Sequence, residues 1–216
     1  MYILLIASYS PSVTNFRGPL IRDILASGSG VGVSVPGVEL ELRIRLEEMG
    51  VDVHEVPLER NGTDILADLR YSKALHQIIT HARPAITLSY TIKPVIWGLI
   101  AAWVARVPNR VALITGLGYA FTGEVSGKRA IVQRIARALY RFSLRKATLI
   151  FFQNPDDRAD FERLGLLPEG VPVVIVNGSG VDVQSFALAP FPAGPLRFLL
   201  IARLLGDKGI REYVAA

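Results

Sequence analysis

Residues 85–114 read AITLSYTIKPVIWGLIAAWVARVPNRVALI. Two short runs, AITLS (85–89) and NRVALI (109–114), are rich in β-branched and apolar residues. They flank a longer apolar segment at 94–105 whose length suits a helix of about three turns. Pro108 falls after that helix and before the next strand, where its missing N–H does little harm, and Pro84 sits in the same position of the preceding helix–strand unit. Strand, helix and strand in that order, with strands that are apolar runs rather than alternating ones, make a parallel crossover unit.

The alternation extends both ways. Upstream, YILLIA (2–7) precedes a helical pattern at 15–27, VGVSV (31–35) one at 38–49, and VDVHEV (51–56) one at 64–82. Downstream come a helix at 128–145, the strand ATLIFF (147–152), a helix at 156–164 and the strand VPVVIV (171–176). Asp64 is placed to cap the third helix, and Gly50 to stop the second. The fold class is α/β, a doubly wound parallel sheet covered on both faces. At 184–195, QSFALAPFPAGP carries three prolines and a glycine, which reads as a linker. LRFLLIA (196–202) then opens a new strand, so the organisation is one domain over 1–183, a linker, and the first βα unit of a second domain over 196–216.

Half of the 216 residues are apolar, which excludes a disordered chain and supplies a sizeable core. The net charge of +5 and pI near 9.7 point to anionic partners. With no cysteine there is neither a disulfide framework nor a thiolate metal site, which fits a reducing compartment. The start MYILLIAS lacks a basic leader and reads as a strand, so secretion is not expected. The apolar stretch 94–105 is well short of the roughly 20 residues needed to span a bilayer, and membrane attachment would be peripheral.

Three loops at strand ends carry candidate chemistry. SYSPSVTNFRGPL (8–20) offers Ser10, Ser12, Thr14, Asn15 and Arg17 at the edge where α/β proteins bind ligands, although a helix cap at Thr14 or Asn15 with a solvated Arg17 explains some of this pattern. LITGLGYAFTGEVSGK (113–128) is a glycine-rich loop with two aromatics and one carboxylate, Glu124. ARLLGDKG (202–209) sets Arg203 and Lys208 beside glycines at a helix start, a combination suited to a diphosphate. None of the loops has the G-x-G-x-x-G register of a dinucleotide site.

GKRAIVQRIARALYRFSLRKA (127–147) contains Lys128, Arg129, Arg134, Arg137, Arg141, Arg145 and Lys146 and no acid. Ile131, Ile135, Leu139 and Phe142 recur at helical spacing, so one face is expected to pack and the rest to be basic. That pattern suits a helix resting on anionic lipid, and equally an ordinary solvated face. Nucleic acid is not expected, because stacking platforms are missing. The three histidines share no motif, and the acids of NPDDRADF (154–161) suit a helix start better than a metal, so no metal site is expected.

Taken together, SPSVTNFRGPLIRDI, HARPAITLSYTIKPVIWGLIAAWVARVP, ALITGLGYAF, IFFQNPDDRADF, VNGSGVDVQSF and ARLLGDKGIREYVAA resemble a family 4 glycosyltransferase of the GT-B type, in the bacterial branch that builds lipid-linked surface glycans. The resemblance covers nearly the whole chain. It implies two facing Rossmann-like domains, the N-terminal one holding the acceptor and the C-terminal one a nucleotide diphosphate sugar. Arg203 and Lys208 match the cations that neutralise the leaving diphosphate. Asn15, Phe16, Arg17, Lys93, Thr115, Gly116, Gly118 and Tyr119 fall where substrate is bound, and Glu124 lies in a loop where many relatives carry a histidine.

The resemblance further implies retention of anomeric configuration without metal or cofactor, the leaving phosphate taking the proton of the acceptor hydroxyl. The implied acceptor is a polyprenyl-diphosphate-linked saccharide at the cytoplasmic face of the membrane. The family's glutamate motif and nucleotide pocket would follow Ala216, so the 216 residues alone are expected to transfer little or no sugar. The rival reading is a non-catalytic α/β module that binds an acidic ligand or a partner. One departure is local: the glycines of ILASGSGVGVSVPGVELELR (24–43) predict an irregular second strand.

Overall fold

The computed structural model describes residues 1–59, 64–116, 128–184, 186–202, 204 and 208–216, with side chains described except at 65 and 128–132. In chain order the elements are β1 (Tyr2–Ile6), α1 (Pro11–Ala26), β2 (Gly30–Val35), α2 (Leu40–Glu48), β3 (Val51–Glu55), α3 (Ile65–Ala82) and β4 (Ile86–Tyr90). A π-helical turn (Pro94–Gly98) then leads into α4 (Leu99–Val104), β5 (Asn109–Ile114), α5 (Lys128–Leu144), β6 (Leu149–Phe152), α6 (Pro155–Arg163), β7 (Val173–Ile175) and α7 (Ile210–Ala215). The chain divides into two compact units, Met1–Gly180 and Val181–Ala216.

In the larger unit the seven strands lie in the order β3-β2-β1-β4-β5-β6-β7, all parallel. Because successive side chains of a strand face opposite ways, β1 feeds two cores. Ile3 and Leu5 pack with Val13 and Ile21 of α1 and Leu46 of α2. Leu4 and Ile6 pack with Tyr71, Leu75 and Ile79 of α3 and with Ala101 and Ala102 of α4. A third cluster joins the π-turn to α5, α6 and β6 through Val95, Tyr140, Phe161 and Phe152.

The second strand is regular: β2 pairs in register with β1 and with β3 over its length. Its glycines serve a neighbour instead. The Tyr2 ring lies across β2 so that its hydroxyl donates to Asp52 Oδ2 on β3 at 2.8 Å. A Cβ on Gly30 would sit 2.8 Å from Tyr2 Cδ2, and one on Gly32 would collide with the Tyr2 hydroxyl. The first helix begins at Pro11 rather than at 15, because proline at a helix's first position sacrifices no hydrogen bond. The segment 94–105 is not uniform α-helix. Its first turn is π, and at Gly98 it approaches the sheet so closely that a Cβ would lie 2.5 Å from Ser89 Oγ.

Asp64 accepts from Leu66 N at 2.8 Å and caps α3 as expected. At the start of α6, Asn154 accepts from Asp157 N at 2.7 Å and donates to the Asp157 carboxylate, so the acids there close a helix end. In the smaller unit, 196–202 forms no paired strand among the described residues; Leu196, Phe198, Leu199 and Ile201 are exposed. A strand exists only through a neighbour's hydrogen bonds, and no neighbouring strand is described there. Tyr213 of α7 donates to the Phe198 carbonyl at 2.5 Å.

Candidate functional site

The strand order reverses between β1 and β4, and the crevice beyond their C-terminal ends is where doubly wound sheets take ligands. Polar side chains converge at that point. Ser8, just past β1, and Thr91, just past β4, share a hydrogen bond of 2.7 Å between hydroxyls. Ser10 donates to Gly37 O at 2.9 Å, tying the β1 loop to the β2 loop, and Ser12 meets the Tyr90 hydroxyl at 3.1 Å. Thr91 holds a left-handed backbone (φ 70), a strained conformation for a β-branched residue. Its carbonyl receives Val95 N at 3.0 Å, so strand, strained elbow and π-turn form one rigid corner.

Arg17 lies beside this corner and is only 6% exposed. Its guanidinium carbon is 5.0 Å from the Tyr90 ring centre, and Nη1 donates to Ser179 Oγ at 2.7 Å and to the Phe16 carbonyl. Ser179 Oγ also accepts from Gln153 Nε2 at 3.0 Å, so α1, the end of β6 and the turn after β7 meet in one network. Nε is buried without a partner, and among the described residues no carboxylate lies within 4 Å of the guanidinium. Burial pushes the Arg17 pKa down, with the Tyr90 hydroxyl opposing it. The Tyr90 pKa is raised by burial, against the opposing pull of the Ser12 hydrogen bond and of Arg17.

The other expected substrate residues distribute as follows. Asn15 and Phe16 precede Arg17 but point outward, Phe16 being 56% exposed. Lys93 donates to Asp68 Oδ1 at 2.6 Å in a pair only 15% and 17% exposed, so its charge is compensated within the fold. Thr115 and Gly116 follow β5 at the same sheet edge, Gly116 with φ 137. Gly118, Tyr119, Glu124 and Arg203 lie outside the described residues. Lys208 is exposed in the smaller unit. Sequence reading missed Ser8, Tyr90, Thr91, Gln153 and Ser179. The first three follow or end the two strands at the reversal and become visible once the strand order is known. Gln153 and Ser179 carry no local signal beyond strand-end position.

On α5 the side chains of Lys128 and Arg129 lie outside the described residues, while Arg134 and Arg141, and Arg145 just past the helix, are exposed and Arg137 is half-buried. The packing face differs from the expected one. Tyr140, Ser143 and Leu144 are buried, with Ala136 and Leu139 beside them, whereas Ile135 and Phe142 are exposed. The inward stripe follows the turn and not the largest apolar residues, so the outer face is mixed basic and apolar. Among the described residues no three His, Asp or Glu come together as a metal-ligand set, and no helix is long and apolar enough to cross a membrane.

A seven-stranded parallel sheet whose strand order reverses between β1 and β4 is a Rossmann-like architecture. Comparison with known proteins narrows this. The family model of the glycosyl transferase 4-like domain matches residues 20–178, and the chain belongs to that family of GT-B glycosyltransferases. It is 24% identical over 220 aligned residues to the N,N'-diacetylbacillosaminyl-diphospho-undecaprenol alpha-1,3-N-acetylgalactosaminyltransferase of Campylobacter jejuni; the alignment covers 94% of this chain and 56% of that enzyme. The chain thus spans little more than half the length of that relative.

Among solved structures it is similar to the Anabaena protein Alr3699/HepE in complex with UDP and glucose (TM-score 0.56, 18% identity, 88% of this chain and 47% of that one). It is also similar to a UDP-N-acetylglucosamine 2-epimerase (TM-score 0.60, 12% identity, 90% and 53%). These likenesses show the fold.

Proposed function

We propose that the larger unit is the acceptor-binding domain of a retaining glycosyltransferase, and that the smaller unit belongs to its nucleotide-sugar domain. The enzyme transfers a sugar from a nucleotide diphosphate sugar to a hydroxyl of a polyprenyl-diphosphate-linked saccharide. The activity for which the Campylobacter relative is named, on a diphospho-undecaprenol substrate, supports the acceptor class, and the UDP and glucose held by the Anabaena protein support the donor class. The observation that carries the acceptor-side assignment is Arg17. A buried guanidinium without a carboxylate costs folding free energy unless something anionic meets it, and it lies at the sheet edge where ligands bind.

In the proposed reaction the bond between the sugar's anomeric carbon and the diphosphate oxygen breaks while a bond to the acceptor oxygen forms on the same face. The acceptor's proton passes to the leaving phosphate, so no protein base is required. Arg203 and Lys208 neutralise the charge that develops on the diphosphate, as a metal cation does elsewhere. Asn15, Phe16, Thr115, Gly116, Gly118 and Tyr119 serve the acceptor side, and Glu124 serves the reacting sugar. Neither metal nor organic cofactor takes part. The exposed basic face of α5 holds the enzyme peripherally on anionic lipid at the cytoplasmic face of the membrane.

The 216 residues alone transfer little or no sugar under this reading. The test joins them to a donor domain and follows transfer to a polyprenyl-diphosphate saccharide. Arg203→Ala and Lys208→Ala are each expected to cut nucleotide-sugar use strongly, and full activity in both variants would overturn the assignment of the donor cations.

A further inference from the structure

Arg137 and Arg141 of α5 and Arg145, just past its end at Leu144, stand four residues apart and therefore fall on one side of the helix and the turn that follows it. Together with Ala138, Phe142, Leu164 and Leu166 they line a groove of about 280 Å³ between α5 and the end of α6. Nothing in the described fold neutralises them. Residues 127–147 include no acid, and of the acids of α6 Glu162 is paired with Arg158 at 2.9 Å, Asp160 with Arg163, and Asp157 accepts from Asn154 at the helix start. Among the described residues none of the three guanidiniums has a carboxylate within 4 Å, and the Arg137 Nε is buried without a hydrogen-bond partner. The groove is far from the strand reversal: α5 runs back along the sheet, and these residues lie on its C-terminal half, toward the starts of β6 and β7.

The surroundings choose among anions. Phe142, which lines the groove, meets Trp103 edge-on with ring centres 6.5 Å apart, and both rings are more than two-fifths exposed. The Lys146 ammonium sits 4.2 Å over Trp103 and 4.9 Å over Phe142, with exposed Val104 beside them. A soluble phosphate ester gains nothing from exposed aromatic and aliphatic surface. A phospholipid offers a phosphate for the guanidinium forks and hydrocarbon for the rings, and an indole with a cation above it suits the interface between headgroup and acyl chain.

We infer that the groove of Arg137, Arg141 and Arg145 is a binding site for the phosphate of an anionic phospholipid headgroup, with Trp103 and Phe142 entering the interface beside it. This rests on the membrane attachment proposed above and replaces diffuse attraction with a specific site. A guanidinium fork takes phosphate and carboxylate alike, but three forks converging on one group favour the tetrahedral phosphate, which can meet more than one fork at once where a carboxylate's two oxygens fill one; lysine, a point charge without a fork, lacks that preference.

The test is co-sedimentation of the full chain with phosphatidylcholine vesicles containing either phosphatidylglycerol or, at equal charge density, a fatty acid. Binding is expected to favour phosphatidylglycerol. Arg137→Gln, Arg141→Gln and Arg145→Gln together are expected to lower partitioning about a hundredfold. A charge-matched control, Arg22→Gln with Arg70→Gln and Lys73→Gln, is expected to lower it far less. Replacing the same three arginines by lysine, which keeps the charge and the fold, is expected to remove the preference for phosphate over carboxylate.

Equal binding to both vesicle types, or undiminished preference in the lysine variant, overturns the site while leaving peripheral attachment standing. No binding to any anionic vesicle overturns the membrane reading itself. Saturable binding of inorganic phosphate or an oligonucleotide without vesicle binding overturns the lipid as occupant.

Discussion

Arg17 Nη1 donates to Ser179 Oγ at 2.7 Å, joining two residues 162 positions apart. The bond fastens the second turn of α1 to the turn that follows β7, next to the reversal of the sheet. With the bond to the Phe16 carbonyl beside it, Nε of the buried guanidinium is left without an acceptor. Under the proposed function that Nε faces an anionic group of the acceptor.

Stability and activity are therefore expected to separate at Arg17. Arg17→Met is expected to leave thermal and denaturant stability unchanged or raised by about 1–4 kcal/mol. In the enzyme completed with a donor domain it is expected to lower kcat/KM for the acceptor about tenfold to a hundredfold. Denaturation curves and acceptor-varied kinetics on the same variant check both. A large loss of stability with acceptor kinetics intact would make Arg17 a structural residue.

The glycines of β2 yield a prediction about packing. Gly32→Ala drives a methyl into the Tyr2 hydroxyl and is expected to cost about 1–3 kcal/mol. In a Tyr2→Leu background most of that cost should vanish, which a double-mutant cycle in urea measures. Equal losses in both backgrounds would mean that something other than Tyr2 requires the glycine.

Lys93 and Asp68 provide a test of a compensated charge. Lys93→Met strands the Asp68 carboxylate and is expected to destabilise by about 3 kcal/mol, whereas Lys93→Met with Asp68→Leu should recover most of the loss. Recovery of stability without recovery of transfer would show that Lys93 also serves the substrate.

His54 sets a pH dependence. Burial lowers its pKa, helped by His81 and opposed by Asp52, and its Nε2 is buried without a partner. The unfolded chain therefore takes up a proton at higher pH than the folded one. This site's contribution is constant above the ordinary histidine value of about 6.5, and stability falls as the pH drops below it. Urea midpoints at pH 7.5 and pH 5.5 are expected to differ in that direction, and His54→Gln should flatten the difference.

Much of this fold is legible in the sequence because each strand is a short apolar run and each helix carries its own punctuation. Asp64 capping α3 and the run NRVALI matching β5 need only local rules. Tertiary causes are what local rules miss. The glycines of β2 make room for a tyrosine on the neighbouring strand, and Gly98 lets the π-turn lie close against Ser89. The site divides the same way. Arg17 stands out within its loop, but its partners Tyr90 and Ser179, and Gln153 that bonds Ser179, are scattered along the chain and meet only when the sheet sets the ends of β4, β6 and β7 beside α1. On α5 the apolar spacing points Ile135 and Phe142 inward, whereas packing selects the stripe through Tyr140 and Leu144.

Recognition of a diphosphate-bearing acceptor by the larger unit through Arg17, as proposed, is open to direct test by equilibrium binding. The chain is titrated by calorimetry with a short-chain polyprenyl-diphosphate saccharide and, separately, with a nucleotide diphosphate sugar. The saccharide-diphosphate is expected to bind, Arg17→Met to weaken it about tenfold or more, and the nucleotide sugar to bind far more weakly. Tight binding of the nucleotide sugar alone, or acceptor binding indifferent to Arg17→Met, would contradict that recognition.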